Sequence, residues 1–115
     1  MRPQDVLSPR NRIRADTLKV LLTSKDKWSW SVAEMEWLDW DDDGREEWNK
    51  RIGIRWDGNL ADPNDKGHPR SHGSGTWFML PDPIGKLVKA AILLTGRTTS
   101  TAEQAESAEQ KAEAA

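Results

Sequence analysis

The sequence predicts an α+β fold, an antiparallel sheet of about four strands packed against one C-terminal helix, with a flexible basic arm before it and a disordered tail after it. Three observations lead there. Short runs rich in Val, Ile, Leu and Trp fall near 18–23, 28–40, 50–56 and 76–80. Gly, Pro, Asn, Asp or Ser clusters separate most of them, as turns separate the strands of a meander. One later segment, 83–95, instead repeats its apolar residues at helical spacing. At 115 residues the chain has room for one domain, placed at 15–97 between an arm over 1–14 and a tail over 98–115.

The arm holds Arg2, Arg10, Arg12 and Arg14, two prolines and one aliphatic pair, Val6-Leu7. That composition suits an extended segment that serves solubility, clamps onto acidic residues of its own chain, or touches nucleic acid. Leu18, Val20 and Leu22 alternate, and the polar turn Ser24-Lys25-Asp26-Lys27 follows, which reads as a strand entering a hairpin. Arg14, Leu18, Leu21 and Leu22 also satisfy a helix over 12–22.

Residues 28–40 admit two readings. As a strand, Trp28, Trp30 and Val32 share one face while Ala33, Met35 and Trp37 share the other, so a slip such as a bulge is expected near Val32 and Ala33. As a helix, Ser31 and Glu34 form a capping box and Trp30, Ala33, Trp37 and Trp40 line one side. The strand is preferred, because Trp, Ser and Val suit a pleated half-buried surface and the run Ile52, Ile54, Trp56 needs a neighbour to pair with.

Residues 57–75 form a long loop that carries Lys66, Arg70 and both histidines; loops of this length in compact domains are usually functional or disordered. Thr76-Trp77-Phe78-Met79-Leu80 is a short strand stopped by Pro81. Asp82 then offers an N-cap, Pro83 the first helical position and Gly96 the C-terminal stop. Between them Ile84, Leu87, Val88, Ala91, Ile92 and Leu94 make a wide stripe expected to pack on the sheet. From Thr98 onward the side chains are too small and polar to offset the entropy of ordering them.

The formal net charge of −2 hides segregation: residues 31–50 carry eight carboxylates against two basic residues, whereas 1–30 carry seven basic residues against three acidic ones. With no cysteine, neither a disulfide framework nor a thiolate zinc site can form. There is no run of about 18 apolar residues, and the chain starts Met1-Arg2-Pro3-Gln4-Asp5, so the expectation is a cytoplasmic protein without membrane contact.

The acidic stretch carries the most specific chemistry. Asp39, Asp41, Asp43 and Gly44 spell DxDxDG, with Glu47 following. Carboxylates at alternate positions around a tight turn can converge on a hard cation, which wants six to eight oxygens. These residues resemble the calcium loop of EF-hands and, more loosely, the DxDxDGxxD loops of other calcium-binding repeats. The resemblance covers about nine residues and implies Ca²⁺ held by Asp39, Asp41, Asp43 and Glu47 with the Arg45 carbonyl. Lys50 stands where an EF-hand has its closing glutamate, and Glu46 where it has an apolar residue.

The same stretch reads as a recognition surface: Trp37, Trp40 and Trp48 among Asp41, Asp42 and Asp43 combine flat apolar area with charge. His68, Arg70 and His72 of the loop join them as candidate partner contacts. His68-Pro69 and His72-Gly73 argue against a helical zinc pair, and no nucleophile elbow or phosphate loop is present. The expectation is a non-enzymatic binding protein acting on a protein partner, with cation binding, or nucleic-acid binding through Trp28, Trp30 or Trp77 and the arm, as alternatives.

Overall fold

Two long strands carry the molecule: β2 (Trp28–Trp40) pairs antiparallel with β3 (Glu46–Asn59) from Trp40 opposite Glu46 down to Trp28 opposite Asn59. The computed structural model describes residues 1–24 and 26–96. The tail expected over 98–115 lies outside the described residues. β1 (Lys19–Thr23) flanks β2, and the short β6 (Phe78–Met79) flanks β3, giving a four-stranded antiparallel sheet in the order β1-β2-β3-β6. Between β3 and β6 the chain forms a separate ribbon of β4 (Arg70–Ser71) and β5 (Ser74–Gly75). Helix α1 (Asp82–Thr95) follows, and the α+β architecture is the one the sequence predicts.

The slip expected near Val32 and Ala33 falls on β1, opposite these two residues, and β2 itself alternates regularly. It is buried on both faces, so apolar residues occupy odd and even positions alike. Val32 faces a cluster with Leu21, Ile52 and Ile92 under α1, while Ala33 and Met35 face a second cluster with Val6, Ile13 and Trp77. Two irregularities interrupt the pairing. Ser29 pairs with Gly58 and Trp30 with Trp56, leaving Asp57 as an extra residue on β3. Val20 pairs with Ala33 and Leu22 with Val32, leaving Leu21 extra on β1.

The second cluster corrects the picture of residues 1–14 as a flexible arm. Val6 and Ile13 are buried, the Trp77 Nε1–H donates to the Val6 carbonyl at 2.8 Å, and Ser8 bridges Thr76. Leu38 N–H donates to the Arg12 carbonyl and Arg14 N–H to the Glu36 carbonyl, so the segment extends the edge of β2 beyond β1. Its few apolar residues are too sparse to signal a strand, yet they fill the face that Ala33 and Met35 would otherwise expose to water. No helix forms over 12–22; a single 3-10 turn spans Ala15–Thr17.

α1 begins at Asp82, one residue before the predicted start, with Pro81 at the cap and no side-chain cap bond; Asp82 instead pairs with Lys86. Gly96 closes it in the left-handed region at φ 69°, where a side chain would be strained. The helix lies close on the sheet through Gly85, where a Cβ would come within 3.2 Å of the Ile52 Cβ, and through Ile92. The wide stripe only partly meets the sheet: Ile84, Leu87 and Leu94 are 50%, 71% and 88% exposed. No helix among the described residues is long and apolar enough to cross a membrane.

Candidate interaction face

α1 runs across the strands from Ile52 on β3 toward Leu21 on β1 and covers only part of that sheet face. Beyond it the side chains of Trp30, Ile54, Trp56 and Phe78 stand uncovered. Trp30 is directly opposite Trp56, and Ile54 is opposite both Val32 and Phe78, so all of them share one side of the sheet. Trp56 and Phe78 are 59% and 58% exposed. Together they floor a groove of about 540 Å³ whose walls include His68 and Pro69 and carry no carboxylate. Reciprocal backbone hydrogen bonds between Trp56 and His68, both 2.8 Å, hold that part of the loop against β3.

The exposed stripe of α1 continues this apolar surface. Lys86 and Lys89 lie on the flank that looks along the hairpin toward its tip, where Lys89 Nζ donates to Glu34 at 2.6 Å and a cleft with Lys50 opens. At 100° per residue, Ile84 and Ala91 fall on the opposite flank, beside Val32 and the groove, with Leu87 and Leu94 above them. The groove itself is lined by no residue of α1, but it begins at Val32, against which α1 packs.

At the other end of the hairpin the three tryptophans of the expected recognition surface are already engaged by arginines. The Arg12 guanidinium stands 4.5 Å from the Trp37 ring and 5.0 Å from the Trp40 ring, and Arg14 stands 4.3 Å from Trp48 while pairing with Glu36 at 2.9 Å. Trp37 and Trp48 are half-buried; Trp40, Asp42 and Asp43 are exposed. Asp41 Oδ1 accepts the N–H groups of Asp43 and Arg45 at 2.9 Å each, and Gly44 turns the chain at φ 78°. Asp39 accepts from Arg51 at 2.9 Å and Asn49 at 3.1 Å, back along the hairpin, with Glu47 across from it on β3. Of the four carboxylates that would surround Ca²⁺, Asp39 and Asp41 are therefore turned to separate partners. Among the described residues no group of three His, Cys, Asp or Glu side chains is placed to hold a metal ion.

The loop is anchored by a buried polar cluster. The side chains of Arg55 and Asp57 are both excluded from water and face one another, Nε to Oδ1, at 3.4 Å. Asp57 Oδ2 accepts from Ser29 at 2.9 Å and Ser31 at 2.5 Å, while Arg55 donates to the carbonyls of Thr76 and Lys66. Burial pulls the Arg55 guanidinium below its ordinary pKa, and Asp57 opposes that pull. The N–H groups of Asn59 and then Gly67, each 2.9 Å away, hold the Asp65 carboxyl below the usual carboxylate range. Of the loop's candidate contacts, His68 joins the groove. Arg70 lies on β4 and His72 at the turn between β4 and β5, exposed and at φ 51°.

Sequence reasoning missed Ile54, Trp56 and Phe78 as site residues and set Trp30 aside for nucleic acid alone. The available signal was the paired alternation of Trp28, Trp30 with Ile52, Ile54, Trp56: a row wider than one crossing helix can cover. The chain matches no protein-family model, no curated protein and no solved structure with which it was compared.

Proposed function

We propose that this chain is a non-enzymatic protein-binding domain whose contact face is the groove of Trp30, Ile54, Trp56 and Phe78, rimmed by His68 and Pro69. One observation carries the reading: large apolar side chains from three strands of the sheet stand side by side in water on the part that α1 leaves bare. Contiguous exposed patches of this kind mark interaction surfaces, and clustered aromatics bring most of the contact energy. The nearly uncharged walls suit apolar side chains of a partner. The acidic tip, with Asp42 and Asp43 free, then serves encounter and partner choice at the rim.

The test compares proteins captured from the source cell on the immobilised chain, on the double variant Trp56→Ser/Phe78→Ser, and on Asp42→Asn/Asp43→Asn. Capture should disappear with the first variant and weaken only in rate with the second. Capture indifferent to Trp56 and Phe78 overturns the reading.

A second reading, stacking of single-stranded nucleic acid, draws support from the row Trp28, Trp30, Trp56 and from Lys27, whose ammonium is 5.9 Å from the Trp28 ring. Its mark would be tryptophan quenching by oligonucleotides at low salt that fades steeply as salt is added. No quenching at low salt removes it.

A further inference from the structure

Resting on the reading of the groove as a contact face, we propose that its occupant is α1 of a second copy of this chain. Two molecules would pair about a two-fold axis, with the exposed stripes of both helices antiparallel and each helix lying against the other's groove.

Four observations converge on a second copy. Ile84, Leu87, Ala91 and Leu94 are spaced three, four and three residues apart, the rhythm of a seam between two helices and one that a solvated helix has no use for. The pattern is symmetric end to end: antiparallel pairing sets Ile84 against the partner's Leu94 and Leu87 against the partner's Ala91, and the small Ala91 admits a close approach. Val88 and Ala90 flank the seam, and neither carries charge, so nothing along it repels an identical stripe. Antiparallel helices also set the positive end of one dipole beside the negative end of the other.

The area agrees. Scaled by their exposed fractions, Trp30, Trp56 and Phe78 offer about 300 Å² of apolar surface, and Ile54, Ile84, Leu87 and Leu94 about as much again. That approaches the roughly 800 Å² per partner of a standard stable interface before any polar rim is counted. Because ridge and groove adjoin on one face, a two-fold operation brings each to the other, which is the closure that a symmetric dimer needs.

Sedimentation velocity on the full chain from about 1 to about 100 µM tests the proposal. The expected result is a reversible dimer whose half-association concentration rises by about tenfold or more in Leu87→Lys, which places two ammonium groups in the seam. Leu94→Glu should act likewise, and Phe78→Ser should weaken association through the groove. Leu87 is 71% and Leu94 88% exposed, so each variant should keep the wild-type circular dichroism spectrum and melting temperature at low concentration. A wild-type chain that stays monomeric at the highest concentration, or a dimer indifferent to Leu87→Lys and Leu94→Glu, overturns the proposal. A monomer that still captures a different protein through Trp56 and Phe78 overturns the second copy while leaving the groove as the contact face. A monomer whose captures ignore Trp56 and Phe78 overturns both.

Discussion

Asp65 is held by backbone rather than by a basic side chain, and this makes it a sensor of the loop that walls the groove. Its carboxyl accepts from Asn59 and Gly67, so the ionised form fits the folded loop better than the unfolded chain and the folded pKa lies below the unfolded one. The contribution is therefore present in full above the ordinary carboxylate pKa of about 4 and is lost as pH falls through the lower folded value. In Asp65→Asn the loss of stability with acid should be shallower below about pH 4, read by urea melts at several pH values. A slope unchanged by the substitution would mean that other carboxylates account for the acid sensitivity. Gly58 and Gly67 enclose the same carboxylate at φ 78° and 66°, and at both positions any side chain would also run into Asp65 or the Trp56–Asp57 backbone. None of this was readable from Asp62-Pro63-Asn64-Asp65, whose turn residues announce a loop without saying which carboxylate closes it. The Arg55–Asp57 pair was equally hidden. In sequence Arg55 looks like polar punctuation in a strand and Asp57 like the first residue of the loop, and only the pairing of β3 with β2 sets both on the face of Ser29 and Ser31.

Among the elements, the β2–β3 hairpin outreaches the layers that cover it, and arginines finish what the core cannot. Arg12 and Arg14 bridge from the neighbouring segment to Trp37, Trp40 and Trp48, each contact worth about 0.5–1 kcal/mol at exposed sites. Arg12→Ala should cost about 1 kcal/mol and Arg14→Ala slightly less, with hydrogen exchange quickening in residues 37–40 and 46–49 and not near Ile52. Uniform loss of protection over the whole sheet would place these arginines in the global core instead. The sequence announced α1 clearly, because Asp82-Pro83 and Gly96 bracket a periodic stripe. It announced the hairpin less clearly, because a strand buried on both faces carries no period-two rhythm from which register could be taken. The acidic turn was legible as a turn through Asp43-Gly44. The fate of Asp39 was not, since its partner Arg51 is twelve residues away and is set by strand register alone.

At the scale of the whole molecule, residues 1–14 are one of the three layers. Val6 has no solvent exposure and receives the Trp77 indole bond on its carbonyl, so Val6→Ala should cost about 2 kcal/mol, measured by chemical denaturation. An effect within about 0.5 kcal/mol would return the segment to the status of a loose arm. Composition misled here: Arg2, Arg10 and Arg14 face water, while the few residues facing inward, Pro3, Val6 and Ile13, decide the packing. The sandwiching of β2 between these layers also bears on how the sequence can drift. From Val32 to Trp37 neither face of the strand is open water: odd positions meet the N-terminal segment, and even positions meet α1 or the ion pairs of Glu34 and Glu36. An ordinary surface strand offers variation every second position, but this one offers almost none. Neutral substitutions must accumulate at the acidic tip and along 60–64, so two distant descendants of this chain would share the middle of β2 long after their turns had ceased to align.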